Sequence, residues 1–70
     1  MSYYLSFRNE VGDYEDLDRF FEDLRKATFE ARDLQRILSK EKKDMGCSYV
    51  VVQEEPHGLN DQIIFRADGY

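Results

Sequence analysis

Asp13-Tyr14-Glu15-Asp16-Leu17-Asp18-Arg19-Phe20-Phe21-Glu22-Asp23-Leu24 is the stretch that decides the fold of this 70-residue chain. Leu17, Phe20, Phe21 and Leu24 open a series that continues through Thr28, Ala31, Leu34 and Leu38 at three- and four-residue steps. At about 100° per residue these positions form one stripe, the mark of an amphipathic helix packed on something. Asp13 is placed to be its N-cap, and Asp13 with Asp16 makes a weak variant of the capping box. Glu15, Asp16 and Asp18 then meet the positive end of the helix dipole. Lys40, Lys42 and Lys43 suit the negative end, and Gly46 is placed to be the left-handed C′ residue. The spacing predicts a helix over residues 14–45.

Such a helix would be roughly 48 Å long, whereas strands of six or seven residues cover only about 20–24 Å. It would therefore overhang its sheet, or break near Lys26 to Phe29. With no internal Pro or Gly to force a kink, the continuous rod is the preferred reading.

Upstream, Tyr3 to Asn9 alternates in the manner of a half-buried strand, with Tyr3, Leu5 and Phe7 on one side; Glu10-Val11-Gly12 breaks the pattern. Downstream, Ser48 to Glu54 is short and rich in β-branched residues, so it reads as a central strand. Glu55 to Asp61 holds the only Pro and several turn formers, and Gln62 to Ala67 returns antiparallel through that hairpin. The expected fold is α+β in the order β-α-β-β, one long amphipathic helix on a three-stranded antiparallel sheet, in a single domain over residues 1–70. Leu5, Phe7, Val50, Val52, Ile63 and Phe65 are expected to bury against the helix stripe. Tyr4, Arg8, Tyr49, Val51, Ile64 and Arg66 are left for the second face.

Composition sets the remaining bounds. Fifteen Asp and Glu against ten Lys and Arg give a formal charge of −5, with 41% hydrophobic residues. That apolar fraction argues against disorder, and one small core is all the length allows. No apolar run approaches the roughly 18 residues of a membrane span, and the N-terminus does not read as a signal peptide. One Cys cannot form an internal disulfide, which suits a reducing cytoplasm, and no membrane role is expected. The acidic balance counts against direct binding of nucleic acid, and two Arg on an open sheet face are too few for an RNA-stacking surface.

Catalytic chemistry has little to stand on. Cys47 and His57 are the only candidates for a nucleophile and base, and a helix C-terminus beside Cys47 would disfavour its thiolate. One Cys and one His lack the spacing of zinc ligands, and the acidic run has neither the Gly nor the distal Glu of a calcium loop. No enzyme activity, cofactor or metal is expected.

Charge distribution says more. Residues 10–23 carry seven acids against Arg19, residues 34–45 carry a net +2 and residues 46–70 a net −3. Acids at a helix start have a plain account in dipole and solubility terms. The sharper account is a carboxylate surface of Asp13, Glu15, Asp16, Asp18, Glu22 and Asp23 that meets a basic groove on another protein. Phe29 and Ile37 fall outside the core stripe, rimmed by Arg25, Lys26, Arg36 and Lys40. They are either ordinary exposed apolar residues or a second packing surface.

In size, acidity and single-helix α+β layout the chain resembles the small inhibitors that bacteriophages encode against host enzymes and defence systems, anti-CRISPR proteins among them. The resemblance is one of format and transfers no residue. It implies a protein-binding module acting in the host cytoplasm by stoichiometric occlusion of a basic surface, of the kind that holds nucleic acid. The alternative is a homo-oligomeric structural or regulatory subunit, a homodimer paired through its long helix and the Phe29/Ile37 side.

Overall fold

Asn9 to Asp13 is a tight turn, and it changes the fold. The Asn9 side-chain oxygen accepts hydrogen bonds from the backbone N–H of Val11 (3.1 Å) and of Asp13 (2.9 Å). Gly12 takes φ +92°, a left-handed conformation open to glycine at little cost. The chain therefore doubles back at once. A computed structural model describes residues 2–41, 46–55 and 61–69. It shows β1 (Ser2–Arg8), β2 (Tyr14–Phe21), α1 (Leu24–Lys40), β3 (Ser48–Glu54) and β4 (Gln62–Arg66). All neighbours are antiparallel, in the order β2-β1-β3-β4.

The expected broad class is right, but the sheet has four strands instead of three, and the helix over 14–45 is shorter than expected. Its first part is β2, paired through Arg8–Tyr14, Phe7–Glu15 and Ser6–Asp16, then, past a bulge, Tyr4–Phe20 and Tyr3–Phe21. Leu17 and Phe21 are four apart, a spacing that serves one helix face and one strand face equally. The neighbouring turn breaks the tie by delivering β2 straight onto the open edge of β1, with little loop-closure entropy to offset.

The break falls at Glu22–Asp23, ahead of the Lys26–Phe29 segment considered above. Asp23, not Asp13, is the N-cap: its backbone is extended (φ −111°, ψ 120°), and its carboxylate accepts from the Arg25 N–H at 2.8 Å. At 17 residues α1 spans roughly 26 Å, which matches strands of seven or eight residues and leaves no overhang. Since α1 ends at Lys40 with Glu41 as its C-cap, Gly46 is not its C′ residue, although its φ of +74° is left-handed. Lys42, Lys43 and the loop containing His57 lie outside the described residues.

The helix covers one face of the sheet. Leu5, Val51, Ala27 and Ala31 are fully buried there, with Tyr3, Leu17, Phe21, Leu34, Tyr49 and Phe65 packed around them. The two alanines let α1 approach the strands closely. Gln35, also buried, ties the helix to the start of β3: its side chain donates to the Cys47 carbonyl (3.4 Å) and accepts from the Tyr49 N–H (2.8 Å).

The expected core is corrected in β3 and β4. Val51 sits directly opposite Leu5 and so shares its face, while Val50 and Val52 face the other way beside Ser6 and Tyr4. Ile63 lies opposite Val52 and Phe65 opposite Val51, so the bulge at Ile64 puts Ile63 and Phe65 on opposite faces. Phe20 belongs to no core: it is 64% exposed. On this second face Ser6, Ser48, Val50 and Val52 are nonetheless buried. Among the described residues, no helix is long and apolar enough to cross a membrane.

Candidate functional site

The second face has its most distinctive chemistry where β1, β2 and β3 meet the start of β4. Cross-strand pairing sets Tyr4 beside Phe20, with ring centroids 6.0 Å apart and planes inclined by 53°. The Tyr4 hydroxyl donates to Asp61 Oδ2 at 3.0 Å, and Asp61 Oδ1 accepts from the Glu55 N–H at 3.2 Å. Ser6 Oγ donates to Asp16 Oδ1 at 3.1 Å, which fixes that carboxylate against the sheet.

These groups line a groove of about 260 Å³ formed by Tyr4, Asp16, Leu17, Asp18, Phe20, Glu54 and Asp61. Among the described residues that line it, four of seven are carboxylates and none is a cation. Asp18 and Glu54 have no ion-pair partner among the described residues. The Tyr4 phenol records the local field. Burial first, then its bond to Asp61, then the charges of Asp16, Asp61 and Glu54 push its pKa from 10.0 up to about 12.

A groove of this kind suits a guanidinium or ammonium group. Aromatic faces attract cations through the ring quadrupole, and ionised acceptors form the stronger class of hydrogen bond.

Of the eight residues expected to meet a partner, the structure brings only Asp16 and Asp18 together. Asp13 lies in the β1–β2 turn, and Glu15 faces the other side of the sheet, opposite Phe7. Glu22 is exposed in the β2–α1 connection, while Asp23 is engaged as the cap. Phe29 and Ile37 are exposed on the outer side of α1, 72% and 48% respectively. Phe29 shares a shallow cleft with Arg32, Asp33 and Arg36; Arg36 pairs with Asp33, and the Arg32 guanidinium lies 5.2 Å from the centre of the Phe65 ring.

Sequence reasoning missed Phe20, Glu54 and Asp61 as members of the site. Assigned to a helix stripe, Phe20 had no reason to be exposed. The signal that could have exposed this is the Asn9–Gly12 turn signature, which makes a hairpin of the first two segments. Asp61 approaches Tyr4 only because β3, with β4 at its far edge, pairs with β1 from across the helix, which a local pattern does not disclose.

Other chemistry is sparse. Cys47 is a free, half-buried thiol. Among the described residues, no group of three or more His, Cys, Asp or Glu side chains could hold a metal ion. Compared with protein families, curated proteins and solved structures, the chain matches none of them.

Proposed function

We propose that this chain is a small acidic binding module that docks its open sheet face on a Lys- or Arg-rich surface of a protein partner and acts by covering that surface. The observation that carries the reading is the groove itself: two aromatic rings, one of them mostly exposed, set among four carboxylates with no cation between them among the described residues. Isolated exposed apolar residues are ordinary, but an exposed Phe beside unpaired acids has the make-up of an interface anchor with a charged rim. The acids would steer the encounter and the rings would supply the desolvated contact. Covering a basic surface that normally holds nucleic acid is how a phage-type inhibitor would use the same groove.

The test is a titration of the isotopically labelled protein with a short Arg-rich peptide, followed by NMR. Chemical-shift changes should concentrate at Tyr4, Asp16, Asp18 and Phe20 and shrink as salt is raised. In an Asp16→Lys, Asp18→Lys variant they should vanish. Changes spread evenly over Asp13, Glu22 and the groove, or unaltered by the double reversal, would refute it.

A further inference from the structure

The side of the molecule opposite the groove has the reverse character. Arg25, Lys26, Arg32, Arg36 and Lys40 all lie within about 60° of Phe29 around α1, at 100° per residue, and Asp33 is the one acid among them. Arg25, Lys26 and Lys40 have no ion-pair partner among the described residues. In the middle of this basic surface stands Phe29, a large exposed ring on a rigid helix. One chain therefore carries both an aromatic anchor in a field of cations and an aromatic groove in a field of carboxylates.

We propose that a second copy of this chain occupies the groove: the outer side of α1, led by Phe29, seats against Tyr4 and Phe20, with its Arg and Lys side chains meeting Asp16, Asp18, Glu54 and Asp61. This names a partner for the groove and rests on reading it as a cation-recognising site. Charge complementarity selects the pairing. Groove against groove brings four carboxylates to four, helix against helix brings cations to cations, and only helix against groove joins opposite signs. The contact is heterologous, and its two halves lie on opposite sides of the sheet–helix sandwich. Successive copies therefore stack front to back into an open chain instead of closing as a symmetric dimer.

The test uses sedimentation velocity on the full chain over a wide concentration range, at low salt and at high salt. Average mass should climb past that of a dimer at low salt and fall back to monomer at high salt. Phe29→Asp disables the helix side and Asp18→Lys disables the groove; both sites are exposed, and circular dichroism confirms folding. Each variant alone should lose at least roughly tenfold in self-association, the scale of losing one anchor. Mixed in equal amounts, they should recover a single one-to-one pair, since each still carries the surface the other lacks. A wild type that stays monomeric at low salt overturns the proposal, as does a symmetric dimer indifferent to Phe29→Asp or a mixture that does not pair. The Arg-rich peptide, titrated into the Phe29→Asp variant, separates the two claims. Groove shifts in that variant, together with a wild type that stays monomeric, leave the groove reading standing and remove only the self-partner; no shifts remove both.

Discussion

The two faces of the sheet are built on different principles. Under α1 the packing is close and economical: Leu5 and Val51 meet two alanines, and the single buried polar side chain of the helix, Gln35, has both ends of its amide bonded. On the other face Ser6, Ser48, Val50 and Val52 are buried with no helix of the described residues above them, and at one corner Phe20 stands exposed among acids. The lesson is a division of labour. The helix side holds the fold, and the open side is free to carry groups that folding alone would not select.

Substitutions can break or sharpen that contrast. Leu5→Ala on the helix side should cost about 2–5 kcal/mol, because the emptied space under two rigid elements collapses poorly; urea unfolding measures it. A loss below about 1 kcal/mol would mean that the covered face is not what stabilises the molecule. Gln35→Leu should cost less, about 1–3 kcal/mol, by leaving the Tyr49 N–H without its acceptor. Hydrogen exchange at Tyr49 should speed up along with the fall in stability.

Asp23→Ala, at the junction of β2 and α1, should cost about 1 kcal/mol and fray the first turn of the helix. The same change at Asp13 should do almost nothing, which tests the corrected helix start directly. Phe20→Ser on the open face should leave stability within about 0.5 kcal/mol of wild type while abolishing the peptide-induced shifts.

The last effect is one of pH and is absent at neutrality. Tyr4 keeps its proton to about pH 12 in the folded protein, whereas an unfolded tyrosine loses it near 10.0. Below pH 10 both states are protonated and Tyr4 contributes no slope. Between 10 and 12 the native state holds the additional proton, so stability falls as pH rises. Tyr4→Phe should remove that part of the decline. Because Arg stays charged at such pH, an Arg-rich peptide in the groove should bring the Tyr4 titration back toward 10.0 in tyrosinate absorbance.

Much of this was legible in the residues, and what was not has identifiable causes. β1, β3 and β4 announce themselves by alternation or β-branched density, and Ala27 to Leu38 by helical spacing. Residues 14–21 mislead because Leu17, Phe20 and Phe21 satisfy a three-four step and a row of acids imitates a helix start. The warning was geometric: a helix over 14–45 is too long for the sheet that must bury it. Val50-Val51-Val52 could not disclose which residue faces α1, since a strand buried on both sides has no alternation to read. The bulge at Ile64 turns Ile63 away from the face of Phe65, a reversal that no strict period of two contains. For the groove, the charge of Asp16 and Asp18 was visible and their company was not. Tyr4 reaches them through the β1–β2 hairpin, and Glu54 and Asp61 only through the β1–β3 pairing, which skips along the sequence.

Cations along the outside of α1 and anions on the far side of the sheet are held a fixed distance apart by the packed layer between them. The cations along α1 and the carboxylates of the groove therefore give the molecule an electrical asymmetry from its helix side to its open side, over and above its net charge. In the field of any strongly charged surface it would rotate while still separated from it by about a Debye length, and arrive already turned.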